Sequence, residues 1–98
     1  MQRLYHHRGH AIDVSVETVC RTPDGAATAL DHIAVLLISA DESREQPFAR
    51  LRIDRTSGRA FESAADALMG GYSVGRGIVD KLIDDGERHA QDIASDAA

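Results

Sequence analysis

The chain has 98 residues, a formal net charge of −5 and an aromatic content of 4%. This length fits one domain with one modest hydrophobic core, so we expect residues 1–98 to form a single domain. The negative charge and the low aromatic content make nucleic-acid binding an unfavoured role, since that role needs basic surfaces and clustered rings. The longest apolar run, residues 33–38, falls far short of the ~20 residues that cross a bilayer, so no membrane association is expected.

The amino-terminal segment and the single cysteine indicate the cellular compartment in which the protein resides. Residues 1–9 contain no apolar segment typical of a secretory signal, and we expect them to form an irregular arm. Cys20 has no second cysteine to pair with, which is typical of a protein from a reducing compartment. These features predict a cytoplasmic protein.

The first regular element is predicted over residues 11–20, where apolar and polar side chains alternate from Ile12 and Val14 onward. A period of two with β-branched residues is typical of a half-buried strand. Cys20 follows the apolar side of this strand, so we expect it to be buried and inert. Residues 22–25, Thr-Pro-Asp-Gly, then predict a turn.

Residues 26–39 allow two interpretations. Leu30, Ile33, Ala34 and Leu37 match helical spacing, but residues 33–38 also form a continuous apolar run of strand length. We favour a central buried strand, because such a strand is apolar on both faces. A third strand is predicted over residues 48–54, which alternate again and lead into a turn at residues 55–58.

A long amphipathic helix is predicted from Ser63 to Asp85. Ser63 and Asp66 have the spacing of a capping box, and Gly86 is typical of a helix end. An apolar stripe includes Gly71 and Gly75, and we expect these glycines to allow close packing of the helix on the sheet. Residues 87–98 are expected to form a frayed or disordered tail. The apolar stripe consists of Ala67, Leu68, Gly71, Gly75, Ile78, Val79, Leu82 and Ile83.

This order of elements predicts an α+β fold, a three-stranded antiparallel sheet with one long C-terminal helix packed on one face. The spacing Tyr5-x4-His10-x-Ile12 in the first half, and Phe61-x-Ser63 with Asp66-Ala67 in the second, resembles small bacterial domains of unknown function with strand-strand-strand-helix order. The resemblance covers about residues 5–85. It supports the fold and implies no chemistry.

Two side-chain clusters are candidates for binding. His6, His7 and His10 carry metal-ligand chemistry, but their spacing matches no zinc module, so we expect no specific metal and no cofactor. Arg50, Arg52 and Arg55, together with Arg59, form a local basic patch that could hold an anion or a nucleic-acid phosphate. An exposed strand face is the simpler interpretation of these arginines.

The central strand suggests a function. One helix covers one face of a three-stranded sheet, which leaves an apolar ridge on the other face without a cover. We therefore expect a non-enzymatic protein-interaction module with no catalytic residues, whose partner is an unknown protein or a second copy of the chain. The residues expected at this surface are Leu36, Ile38, Arg50 and Arg52. Binding of a nucleic acid or an anion through Arg50, Arg52 and Arg55 is the alternative function.

Overall fold

A computed structural model describes the backbone of residues 1–21 and 29–96, and the side chains of residues 1–20 and 30–86. It shows an α+β fold in which an antiparallel sheet packs against one long C-terminal helix. The elements are β1 (Gln2–His7), β2 (His10–Arg21), β3 (Ala29–Ala40), a 3-10 helix (Asp41–Ser43), β4 (Ala49–Ile53), β5 (Arg55–Thr56), β6 (Arg59–Ala60) and α1 (Ala64–Asp96).

The main sheet is a meander of four antiparallel strands in the order β1-β2-β3-β4, so the expectation of three strands was wrong. The additional strand is β1, which forms within the segment predicted to be an irregular arm. Arg8 and Gly9 connect β1 to β2 with positive φ values of 50° and 77°. Two successive residues with positive φ form the type I′ turn that suits the twist of a tight hairpin. Pairing with β1 gives hydrogen-bond partners to the outer edge of β2.

The other strands agree with the sequence pattern. Residues 29–40 form β3 rather than a helix, and β3 pairs with β2 over twelve positions and with β4 over five. The predicted turn at residues 55–58 is the tip of the small β5–β6 hairpin, where Ser57 and Gly58 both have positive φ. The predicted turn at residues 22–25 lies outside the described residues.

The start of α1 is capped as its sequence predicts. The backbone N–H of Asp66 donates a hydrogen bond to Ser63 Oγ at 3.1 Å. This bond satisfies one of the N–H groups that the first turn of a helix leaves without a partner. Asp66 also places a negative charge near the positive end of the helix dipole.

The core lies between α1 and the helix-facing side of the sheet. Its largest fully buried side chains are Ile12, Val14, Leu36, Ile38 and Val79. The two glycines of the apolar stripe bring α1 close to these strands. A Cβ atom on Gly71 would lie 2.8 Å from Val14 Cγ1, and one on Gly75 would lie 2.7 Å from Ile12 Cγ2. The predicted role of these glycines in close packing is therefore confirmed.

The helix extends beyond the end expected from Gly86 and reaches Asp96. Glycine ends a helix when it takes a left-handed conformation. The described glycines with positive φ are Gly9 and Gly58, so Gly86 does not act in this way. The residues that follow it include Glu87, Arg88, Ala90 and Gln91, which have high helix propensity.

Strands β2 and β3 are about twice as long as their neighbours. Beyond the ends of β1 and β4 they continue as a two-stranded ribbon, in which Val19 and Leu30 are 42% and 58% exposed. Cys20 lies on this ribbon and is exposed, which contradicts the expectation that it is buried. The reason is that α1 covers the sheet near Val14 and Ala34 and leaves the ribbon without a helix above it.

Candidate interaction surface: the open face of the sheet

The two faces of the sheet can be assigned from the register and the contacts of α1. On β3, Ala34, Leu36 and Ile38 point toward the helix and are fully buried. Because side chains alternate along a strand, Ile33, Val35 and Leu37 point to the opposite face. We call that opposite side the open face, since α1 does not pack on it. It carries Gln2, Leu4 and His6 from β1; Ala11, Asp13, Ser15, Glu17 and Val19 from β2; Asp31, Ile33, Val35, Leu37 and Ser39 from β3; and Arg50 and Arg52 from β4. Of these, Ala11 and Ser39 are buried.

Two of the residues expected at the interaction surface lie elsewhere. Leu36 and Ile38 are 0% exposed and belong to the core beneath α1. The close approach of Gly71 and Gly75 to Leu36 explains this position. The uncovered apolar residues of β3 are therefore the alternate set, Ile33, Val35 and Leu37.

These three side chains form an apolar row along the centre of the open face. All three are half-buried. Val35 and Leu37 lie between β2 and β4, whereas Ile33 lies just beyond the end of β4. Leu4 lies at the edge of the same face and is 41% exposed, but Asp13 of β2 separates it from this row. Contiguous apolar surface of this kind, with a polar rim, is typical of contact sites.

Charged residues flank the apolar row with opposite signs on its two sides. Asp13 and Glu17 lie on β2, and Arg50 and Arg52 lie on β4. Asp13, Leu37 and Arg50 stand in register in one row across three strands. Strands are about 4.8 Å apart, so the Cα atoms of Asp13 and Arg50 are about 10 Å apart. Asp13 bonds Gln2 instead, and no ion pair joins it to Arg50. The open face is thus acidic on the β2 side and basic on the β4 side.

The individual charges have different partners within the chain. Arg52 Nη2 lies 3.0 Å from Glu17 Oε2, in an ion pair that crosses β3 above its apolar row. The Asp13 carboxylate accepts hydrogen bonds from Gln2 Nε2 at 2.9 and 3.1 Å. Arg50 is exposed and has no ion-pair partner among the residues that the structure describes.

The third arginine of the predicted basic patch lies apart from Arg50 and Arg52. Arg55 is in the small hairpin, and its Nε donates to Asp54 Oδ1 at 3.1 Å. This hydrogen bond lowers the pKa of Asp54 and raises that of Arg55. Two of the three arginines are therefore already paired with carboxylates, which reduces the positive potential that a phosphate would meet.

The predicted histidine cluster does not converge on one point. His6 lies on the open face with Nδ1 3.0 Å from Asp41 Oδ1, whereas His7 points to the helix side of the sheet. His10 Nδ1 lies 3.1 Å from the carbonyl oxygen of Arg8. In the part of the chain that the structure describes, no group of three metal-ligating side chains comes together.

His7 instead takes part in a contact with the carboxylate of Asp80 on α1. Its Nε2 lies 2.7 Å from Asp80 Oδ1, and Arg8 Nη1 donates to the same oxygen at 3.0 Å. These hydrogen bonds, that of His7 first, lower the pKa of the Asp80 carboxyl. We call Asp80 with His7 and Arg8 the helix clasp, because it joins α1 to the β1–β2 turn. Tyr5 of β1 and Tyr72 of α1 also contact each other, with ring centroids 4.1 Å apart.

A groove of about 930 Å³ lies between the small hairpin and the first turns of α1. Phe61, Met69 and Val74 contribute apolar walls, and Arg55 and Arg59 lie at its hairpin side. Arg59 Nη2 lies 3.6 Å from Glu62 Oε1, and Arg55 pairs with Asp54, so each of these arginines already has a carboxylate beside it. The groove offers apolar surface with no convergent set of polar groups among the described residues that would select a ligand.

Comparison with other proteins adds no family to this description. No family model matches the sequence, no curated protein matches it significantly, and no solved structure matches its fold significantly. The described helix residues include no segment with the length and hydropathy needed to traverse a lipid bilayer.

Proposed function

We propose that this protein is a non-enzymatic interaction module that associates with a second copy of itself through the open face. The observation that carries the proposal is the half-buried apolar row Ile33, Val35 and Leu37 on the sheet face opposite α1. Burying these side chains against a partner would remove their apolar surface from water, at about 25 cal/mol for each Å². The described groups with shifted pKa values are Asp54, Arg55 and Asp80. Each lies in an ion pair at the surface, and such pairs account for the shifts without a catalytic site.

A second copy is the partner that fits the charge pattern. An acidic side and a basic side on one face make that face complementary to itself, since a symmetric dimer places one surface against the same surface. Opposite charges around an apolar centre are also the arrangement that steers association and fixes its register.

The size of the open face is compatible with a dimer of modest strength. From the strand spacing and the rise per residue, the open face covers about 550 Å² in each copy, or about 1,100 Å² in total. This total lies at the low end of specific interfaces, which begin near 1,000 Å². We therefore expect a dimer that dissociates on dilution.

Light scattering coupled to size-exclusion chromatography tests the proposal over a dilution series. The wild-type chain should move from dimer to monomer as it is diluted, and Leu37→Asp should be monomeric at every concentration. Leu82→Asp is the matched control, because Leu82 is 47% exposed on α1, away from the open face. Circular dichroism establishes that each variant is folded. Leu37→Thr, which introduces a smaller, more polar β-branched residue that suits a strand, should also weaken the dimer. A wild-type chain that stays monomeric when concentrated contradicts the proposal.

Binding of a nucleic acid or an anion through Arg50, Arg52 and Arg55 ranks second. The pairing of Arg52 with Glu17 and of Arg55 with Asp54 weighs against it, as does the net charge of −5. A titration with a fluorescent oligonucleotide at low salt checks this alternative. Binding that weakens with salt and is lost in Arg50→Ala with Arg52→Ala would favour it over self-association.

A further inference from the structure

We propose that the two copies are related by a two-fold axis that runs nearly parallel to β3, between the two open faces. The inference rests on the proposed self-association and adds the arrangement of the partner. For two sheets that pack face to face, the two-fold axis must lie in the plane between them. Its direction within that plane decides which strands of the two copies are opposite each other.

The row of Asp13, Leu37 and Arg50 selects this direction. Rotation about an axis parallel to β3 exchanges the β2 side of one copy with the β4 side of the other. Leu37 then meets Leu37 of the partner subunit, and Asp13 lies opposite Arg50 of the partner subunit. The same contact occurs twice, so both acidic sides meet basic sides.

An axis across the strands would give the opposite result. It would place Asp13 over Asp13 of the partner subunit and Arg50 over Arg50 of the partner subunit. Like charges brought together at an interface oppose association, and this is a common way in which proteins exclude wrong arrangements. The axis parallel to the strands also agrees with the aligned packing of β-sandwiches, in which strands of facing sheets cross at about 30°.

The contacts that Asp13 and Arg50 make within one chain support their pairing across the dimer interface. Asp13 accepts hydrogen bonds from the Gln2 side chain, which is uncharged, and so keeps its net negative charge. Arg50 is exposed and has no ion pair with any described residue. Each group can therefore pair with the partner without breaking an ion pair between described side chains, whereas Arg52 and Glu17 already neutralise each other.

Charge exchange at these two positions tests the inference. Asp13→Lys alone and Arg50→Glu alone should each weaken the homodimer by roughly tenfold or more, because each variant places like charges opposite each other twice. An equimolar mixture of the two variants should form a heterodimer about as strong as the wild-type dimer. A chain with both changes should again form a homodimer.

Mixing the doubly changed chain with the wild type identifies the axis. With the proposed axis, a mixed dimer would place acid over acid and base over base, so native mass spectrometry with a 15N-labelled wild type should find few mixed dimers. Labelled and unlabelled wild type provide the control and should mix statistically, with about half of the dimers mixed.

The outcomes separate this inference from the proposed function. Mixed dimers at or above the statistical level would overturn the parallel axis, as would single variants that dimerise like the wild type. If either of these results were found and Leu37→Asp still abolished the dimer, the open face would remain the interface and only the direction of the axis would be wrong. A wild type that is monomeric throughout overturns both.

Discussion

Gly75 of α1 lies directly against Ile12 of β2, so closely that a Cβ on this glycine would be 2.7 Å from Ile12 Cγ2. Ile12 is fully buried and cannot move aside without disturbing the core. We therefore expect Gly75→Ala to lower the free energy of unfolding by about 1–2 kcal/mol, since overpacking outweighs the better helix propensity of alanine.

Gly77 provides the matched control on the same helix. A Cβ at this position would have no atom within 4 Å of it. Gly77→Ala should raise the free energy of unfolding by about 0.5–1 kcal/mol, because only the propensity changes. Urea denaturation of both variants measures the difference. Equal effects of the two substitutions would contradict the packing described for Gly75.

Substitution of two neighbouring residues of β3 should lower the free energy of unfolding to very different extents. Leu36 is fully buried beneath α1, so Leu36→Ala should lower the free energy of unfolding by about 2–5 kcal/mol. Leu37 is on the open face and only half-buried, so Leu37→Ala should cost the monomer about 1 kcal/mol or less. Denaturation at a protein concentration below the dimer range compares them. A larger loss for Leu37 than for Leu36 would show that the faces are assigned the wrong way round.

The cap of α1 gives a third prediction. Ser63→Ala removes the oxygen that accepts the hydrogen bond from the backbone N–H of Asp66. We expect a loss of about 1 kcal/mol in the free energy of unfolding. Ser63→Asp should retain most of the stability, because a carboxylate also caps a helix and suits its dipole. Thermal denaturation of the two variants separates loss of the cap from a general intolerance of this position.

The parts of the fold that the sequence predicts are those with a strong local signal. The Ser63 cap and the glycine-containing stripe define α1, and the apolar run of residues 33–38 defines β3. The central strand, however, has apolar side chains on both faces, and its own pattern cannot say which face the helix covers. The contact of Gly71 with Val14 and Ala34 decides this, and that contact depends on the tertiary fold.

Strand β1 could not be predicted because its stabilising contacts are distant in sequence. Its helix-facing residues are Arg3, Tyr5 and His7, a set without aliphatic side chains. Tyr5 packs on Tyr72, and His7 meets Asp80, more than sixty residues away. The local signal was the Arg8-Gly9 turn, whose glycine suits the positive φ that it adopts.

The charged residues of the open face also combine local features, which the sequence predicts, with long-range ones, which it does not. The sequence correctly indicates that Arg50 and Arg52 share a strand face, because the period of β4 is local. The pairing of Arg52 with Glu17, and the alignment of Arg50 with Asp13 across Leu37, depend on the register of three strands. That register is set by the Arg8-Gly9 turn and by the matching of buried side chains in neighbouring strands.

The helix clasp predicts how stability depends on pH. Hydrogen bonds from His7 and Arg8 lower the pKa of Asp80 in the folded protein below its ordinary value of about 3.9. A carboxyl with a lowered pKa stabilises the fold above its unfolded pKa, and this contribution is lost as the pH falls through the folded pKa. Asp80→Asn should therefore reduce stability at pH 7, and the difference from the wild type should shrink as the pH falls from about 5 toward 2.

Chemical denaturation at several pH values between 2 and 7 measures this dependence. Asp85→Asn is the control, since it removes the same charge from α1 at an exposed position that forms no ion pair with a described residue. Because the clasp is at the surface, its contribution should also decrease in high salt. A stability difference for Asp80→Asn that stays constant down to pH 2 would show that the carboxylate of Asp80 does not stabilise the contact between α1 and the β1–β2 turn through its charge.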